Sequence, residues 1–263
     1  AEVGIGAAIV PALAAIFLGF LIPFIGYFIL NKIAKFDPAD AGCFAGHFGA
    51  VSAATLAVVL AYAYRVGLEY EAFIPALYPF MDTTALITGI ILGKIGMSRL
   101  NKESDYVQNA APLYQVIKEA ATGKGVFLLF GGLLIGYIAG ADGAKKIMPF
   151  YDTMFYGVLT LFLLDIGLMA GKRLAEFKRV GLPVVIFALV MVPIHGILGI
   201  VVGLLINLSV GGALILATMA ASASYISAPA VMRAALPTSN PSIALKISVL
   251  VVFPFNASVG IPL

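Results

Sequence analysis

The sequence predicts an all-α polytopic membrane protein, and three observations carry that reading. Of 263 residues, 62% are hydrophobic and 11% charged, with a mean hydropathy of +1.06; a soluble domain has roughly 45–50% apolar and about 25% charged residues. The apolar residues fall in long stretches of about the 20 residues that a helix needs to cross a hydrocarbon core. None of these stretches alternates apolar with polar residues, as the strands of a membrane barrel do. The composition also excludes other classes. The single cysteine, Cys43, permits neither an internal disulfide nor a multi-cysteine metal site. The sixteen Lys and Arg residues sit in short polar gaps rather than in a basic stripe with interleaved aromatics, so nucleic-acid binding has no support. There is no Gly-x-Ser-x-Gly elbow, facing aspartate pair or phosphate-cradling loop to speak for an enzyme.

Eight stretches are candidate spans: 7–30, 40–62, 72–96, 126–141, 148–171, 183–207, 211–235 and 242–263. Twenty-eight glycines and fourteen prolines run through them, which a membrane tolerates where neighbouring helices satisfy the freed backbone groups. If the spans alternate in direction, the gaps at 31–39, 97–125 and 172–182 gather most of the basic residues. The opposite side keeps only Arg65, Lys145 and Lys146. That bias places the basic gaps, and with them the linker 98–125, in the cytoplasm of a cell carrying the protein in its inner (plasma) membrane, with both ends outside. The linker is the one long polar segment and predicts a short amphipathic helix around 111–121.

An offset of 175 residues lays the chain on itself. It carries Ser52 onto Ser227, Tyr78-Pro79-Phe80 onto Phe253-Pro254-Phe255, and the small-residue run from Gly46 onto that from Ala221. Stretch 40–62 runs outward and 211–235 inward, so the repeat is inverted, a common plan for transporters. The organisation expected is a first repeat at 1–97, the linker, and a second repeat at 126–263. By the same offset the first repeat lacks two N-terminal spans, which either precede the sequence or are absent from it.

Two spans are unlike the rest. Gly42 to Thr55 and Met219 to Pro229 concentrate small and hydroxyl residues at mid-span, and Pro229 removes a backbone donor. Both read as interrupted helices. Half-helix N-termini brought together offer free N–H groups to an anion, and C-terminal carbonyls can hold a cation. The plainer reading is that such clusters let helices pack closely, with Ser and Thr bonded back to their own helix. Their occurrence at matched positions of opposite halves favours a site. The expected anion ligands are Ser52, Ala53, Thr55, Ser224, Ser227 and Ala228 with their amides.

Acidic side chains within spans are costly and so are functional candidates. Asp82 follows the repeated Pro-Phe; with Asn256, Ser222 and the backbone of Gly49 it supplies oxygen donors suited to a hard cation, though a carboxylate capping a broken helix is the alternative. Asp165 precedes Lys172 and Arg173 by one to two turns, so ion pairing competes with a transport role. His47 and His195 have no metal-ligand spacing and read first as packing residues; a proton relay by His47 stays open.

The runs Gly46-His47-Phe48-Gly49-Ala50-Val51-Ser52, Pro75 to Asp82, Ala221 to Pro229, Ala235 to Ser242 and Gly260-Ile261-Pro262-Leu263 resemble the sodium-dependent bicarbonate transporter (SbtA-like) family over most of the chain. The resemblance implies five-plus-five inverted repeats, two crossing broken helices, a gate domain that would include 126–171, a core domain that would include 183–263, and a homotrimer. It implies bicarbonate and sodium at the crossover, no cofactor beyond sodium as coupling ion, and a nitrogen-regulatory-like protein as a partner of cyanobacterial members. The chain departs from those members in reading Tyr225 at an aspartate's position, and Ala53-Ala54 at a Gly-Ser pair. The function expected is import of bicarbonate with sodium by movement of the core against the gate. Carriage of another small organic anion, sodium/proton exchange, and a membrane-embedded binding or scaffold subunit are the alternatives.

Overall fold

In the computed structural model the described residues are 6–100, 124–177 and 181–262, with Tyr114 and Lys118. Those two linker residues are helical; the rest of the helix expected at 111–121 lies outside the described residues. The elements are α1 (Gly6–Phe28), α2 (Pro38–Gly49), α3 (Ala53–Arg65), α4 (Tyr78–Arg99), α5 (Lys124–Phe177), α6 (Leu182–Leu205), α7 (Val210–Ala220), α8 (Ser227–Ala235) and α9 (Pro241–Ile247). The helix of α9 runs on to Gly260 through two π-helical turns, Ser248–Val252 and Asn256–Gly260. Pro254 lies between them; its ring clashes with the carbonyl four residues back, and a π turn is one way to accommodate that. No strand occurs among the described residues.

Among the described residues six helical runs are long and apolar enough to cross a bilayer: Gly6–Ile33, Pro38–Arg65, Ile74–Arg99, Lys145–Lys172, Leu182–Leu205 and Pro241–Gly260. The two remaining stretches of the eight differ for identifiable reasons. Stretch 211–235 is divided between α7 and α8. Stretch 126–141 is divided from the next by a kink within α5, where Gly140 at φ 62° and ψ −177° leaves helical geometry in a region open only to glycine.

Shifting α1 by 175 residues gives 181–203, against Leu182–Leu205 for α6. The same shift brings α2 and α3 onto α7 and α8 within a few residues. Hydrogen bonds fix the relative direction of the two broken helices. The loop after α3 reaches the start of α7, where Ser209 N–H donates to Glu71 Oε1 at 2.6 Å and Ser209 Oγ to Glu71 Oε2 at 3.1 Å. The loop after α8 reaches the start of α2, where Asn240 N–H donates to Asp40 Oδ1 at 2.8 Å. Each broken helix therefore ends where the other begins, and the two run antiparallel. The starts are locally coded as well: Asp37 caps α2 ahead of Pro38, Ser209 caps α7, and Asn240 caps α9 ahead of Pro241.

Close packing sets the depth of each element. α2 lies against α4 through Gly42 and Gly46 on one side and Gly89 and Gly93 on the other, both small-x-x-x-small pairs. A Cβ on Gly89 would stand 2.6 Å from the Gly42 carbonyl oxygen and 2.7 Å from Gly46 Cα. In the second repeat, α6 meets α7 at Gly199, whose Cβ would stand 2.5 Å from Ala217 Cα. Ala217 and Ala221, the offset counterparts of Gly42 and Gly46, line an apolar cavity of about 440 Å³ between α6, α7 and the end of the last helix. α5 stands apart, its apolar side chains exposed along most of its length. It meets the rest of the fold through Ile166, which shares a buried cluster with Ala54, Tyr225 and Val249.

Substitution Gly89→Val is expected to destabilise the protein by roughly 1–3 kcal/mol, because both neighbours are backbone and cannot rotate away. Gly157→Ala, with nothing within 4 Å of the added carbon, should leave stability unchanged or slightly improved. Apparent melting temperatures in detergent compare the two.

Candidate functional site

Between α2 and α3 the chain is extended at Ala50 (φ −82°, ψ 142°) and Ser52 (φ −81°, ψ 113°) before helix resumes at Ala53. Between α7 and α8 the interruption covers residues 221–226. Such breaks expose four helix ends, and in a bilayer their backbone groups must find partners inside the protein. The two breaks supply one another. Ser224 N–H donates to the His47 carbonyl at 2.9 Å, and His47 Nδ1 lies 2.8 Å from the Ser224 carbonyl oxygen. A carbonyl can only accept, so Nδ1 carries the proton and Nε2 is left as a bare lone pair. Ser52 N–H donates to Ser222 Oγ at 2.9 Å, and Ser222 in turn donates to the Met219 carbonyl at 2.8 Å.

Asp82 on α4 ties both breaks together from the side. Its Oδ1 accepts from Val51 N–H at 3.0 Å and its Oδ2 from Ser227 Oγ at 3.3 Å. Because Ser227 spends its proton on Asp82, the 2.9 Å contact with Ser224 Oγ runs from Ser224 to Ser227. Ala228 N–H reaches Ser224 Oγ at 3.5 Å. From the last helix, Asn256 Nδ2 donates to the Ala221 carbonyl at 2.9 Å, at the C-terminal end of α7. Asp82, Asn256, Ser52, Thr55, Ser222 and Ser224 are all buried.

The structure thus gathers Gly49, Ser52, Thr55, Asp82, Ser222, Ser224, Tyr225, Ser227, Ala228, Asn256 and His47 around one crossover. Ala53, at the first turn of α3, is exposed beside it. The sequence divided these residues into an anion set and a cation set, but Ser227 of the first is bonded to Asp82 of the second, so one network serves both. Ser52 Oγ is engaged as the cap of α3, accepting from Thr55 N–H at 3.2 Å. Two hydroxyls stay uncommitted: Thr55 Oγ1 and Tyr225 Oη are buried without a hydrogen-bond partner. Asp165 is not part of the crossover; it is exposed on α5, one residue before the buried Ile166. Ser258 bonds back to the Pro254 carbonyl at 2.6 Å on its own helix. His47 is neither a simple packing residue nor free: one nitrogen clamps the second break and the other is unpartnered. His195 is fully buried with both ring nitrogens unpartnered. Sequence reasoning missed the outer clamps made by Glu71 and Asp40. Each joins residues 138 or 200 positions apart, a separation that leaves no local pattern.

The electrostatics follow from the directions of the half-helices. α3 and α8 begin at the crossover and turn the positive ends of their dipoles toward it, while α2 and α7 end there and turn carbonyls toward it. Asp82 adds its carboxylate beside the starts of α3 and α8, at Val51 N–H and Ser227 Oγ, and Asn256 reaches the carbonyl at the end of α7. The crossover therefore offers both an anion and a cation complementary helix ends. Among the described residues no group of three or more His, Cys, Asp and Glu side chains is placed to hold a metal ion.

Over residues 1–263 the chain matches the family model of the Na+-dependent bicarbonate transporter superfamily. No curated protein matches it at a significant level.

Replacing His47 by Phe keeps the ring's volume and removes its donor, so the Ser224 carbonyl loses a buried partner. The expected loss of stability is about 1–3 kcal/mol, read as a lowered melting temperature of the purified protein.

Proposed function

We propose, from the premise that the chain belongs to the Na+-dependent bicarbonate transporter superfamily, that it carries bicarbonate inward together with sodium across the plasma membrane. The observation that supports this most directly is the crossover itself. Two helix N-termini and two C-termini meet there beside a buried carboxylate, Asp82, bonded to both breaks. The anion would lie at the starts of α3 and α8, against the Ala53 amide, the Thr55 hydroxyl and Ala228. Sodium would lie at the ends of α2 and α7, near the Gly49 carbonyl, with Asp82 and the Asn256 amide oxygen on its other side. Ser52, Ser222, Ser224 and Ser227 would hold the two subsites in register rather than bind in isolation.

The carrier would work by sliding a core, built from α1–α4 and α6–α9, against a gate that includes α5. The core is bonded together through both breaks and both outer clamps. α5 meets it through the apolar cluster at Ile166, Ala54 and Tyr225, so the crossover lies at the boundary across which such a movement would run. The linker 98–125 would be cytoplasmic, and the exposed apolar faces of α1 and α5 would meet lipid or other copies in a homotrimer. A nitrogen-regulatory-like partner rests on family resemblance alone.

Labelled bicarbonate uptake into proteoliposomes is expected to depend on an inward sodium gradient; uptake that ignores sodium defeats the symport reading. Asp82→Asn keeps an acceptor for Val51 N–H and removes the charge. It should reduce sodium stimulation by about tenfold or more, in line with a charged hydrogen-bonding contact.

The sliding movement has its own test. Cysteines at Tyr64 and Tyr156, which are exposed and meet across the same boundary with ring centroids 6.0 Å apart, joined by a short cross-linker, should abolish turnover while sodium still raises the melting temperature. Cys43, the native cysteine, is buried and should not interfere.

A further inference from the structure

We infer that the Tyr225 hydroxyl is a substrate-contacting, specificity-determining donor, which with Thr55 fits the N-terminus of α3 to a small oxyanion. This rests on the anion-transport reading above and adds a residue and a ligand class to it.

Tyr225 stands within the second break, yet its side chain serves the first. Its ring packs edge-on against Phe253, with centroids 6.3 Å apart and planes at 73°, and lies in the buried cluster with Ala54, Ile166 and Val249. Only 5% of the residue is exposed. Phe253, Ala54 and Val249, all on the core side, fix the ring and with it the point to which it brings the hydroxyl. That hydroxyl faces Ser52, the cap of α3, without closing a hydrogen bond of standard geometry. Thr55, in the first turn of the same helix and 1% exposed, has an Oγ1 in the same condition.

Two buried hydroxyls without partners at one helix start are a local deficit, since nearly all buried polar groups in native proteins are hydrogen-bonded. The groups around them are already committed. Ser52 N–H is bonded to Ser222, Thr55 N–H to Ser52 Oγ, and Val51 N–H to Asp82. What remains is donors: Tyr225 Oη, Thr55 Oγ1 and the Ala53 and Ala54 amides, which open α3 and have no acceptor within their helix. A ligand that completes this set must accept several hydrogen bonds at once and be small. The helix dipole selects for negative charge. A trigonal oxyanion such as bicarbonate meets these conditions. The phenol supplies its bond without adding a second charge to the site, and Ala53, at the start of the same helix, is exposed.

Tyr225→Phe retains the ring and removes the donor. In proteoliposomes the KM for bicarbonate should rise about ten- to hundred-fold with maximal velocity within about twofold, as expected for a lost hydrogen bond to a charged ligand. The melting temperature of the anion-free protein should hold or rise, because a buried unpaired hydroxyl has been removed, and its rise on adding sodium should be unchanged. Thr55→Val should move KM the same way. A KM within about twofold of the parent in both variants, or a fall in anion-free stability large enough to explain the loss, overturns the inference. If the parent protein takes up no bicarbonate, the transport reading fails separately. Melting temperatures of the parent and Tyr225→Phe with bicarbonate, formate, nitrate and chloride then decide: an oxyanion that stabilises the parent and not the variant upholds Tyr225 as its donor, and no anion separating them overturns it.

Discussion

A helix broken inside a bilayer leaves backbone donors and acceptors where water cannot reach them, and this constraint organises the whole molecule. The fold breaks two helices and meets the demand of each with the other. His47 and Ser224 exchange a backbone bond and an imidazole bond, Ser222 receives the Ser52 amide, and Asp82 takes one donor from each break. A single break would need a dedicated set of polar residues on every neighbour. Two antiparallel breaks share one set, because what one presents as carbonyls the other presents as amides.

That exchange works only if the segments come within hydrogen-bonding distance at the correct depth, and this is the task of the small residues. The contact of Gly42 and Gly46 with Gly89 and Gly93 holds α4 against α2 with almost no side chain between. Gly49 is buttressed in the same way by Pro23 of α1 and Ala85 of α4. Asp82 lies a turn or two earlier on α4, so the same approach delivers its carboxylate to Val51. The glycines that weaken these helices in isolation are therefore what bring a buried charge to its partners. At the outer ends, the Glu71–Ser209 and Asp40–Asn240 clamps close the antiparallel pair.

Much of this was legible in the sequence for physical reasons that can be named. The bilayer fixes span length, so the membrane class and most spans could be read from apolar runs. The need for backbone partners makes mid-span clusters of Gly, Ser and Pro conspicuous, and the match of Ser52 to Ser227 then pointed to residues the structure places within one hydrogen-bonded network. Other features had no local signature. Asp165 looked like Asp82 by hydropathy, and only packing separates an exposed carboxylate on α5 from a buried one on α4. The division of hydroxyls into bonded and free was equally invisible, because Ser227 is engaged and Thr55 is not through bonds that span 145 residues in one case and none in the other. The kink at Gly140, which parts two expected spans within α5, depends on one backbone conformation among 28 glycines.

The distribution of polarity between the two interfaces of the crossover carries a last consequence. Toward α2, α4 and α7 the breaks are held by directional bonds, each of which would leave a buried group unpaired if it slipped. Toward α5 they present Ala54 and Tyr225's ring to Ile166, Phe162 and Leu163, and farther along Tyr64 meets Tyr156 at 6.0 Å between centroids. Contacts of that kind hold by dispersion and exclusion of solvent, which are non-directional and depend on area. One apolar ridge can be exchanged for another a helical turn away at little cost, provided comparable area stays covered. The same residues, Ala54 and Tyr225, thus stand at the junction between a surface that must not shear and one that can. In the sliding movement proposed above, a site at that junction would keep its own geometry while the wall facing it changed, which is the mechanical requirement for carrying a bound ion pair from one side of a barrier to the other.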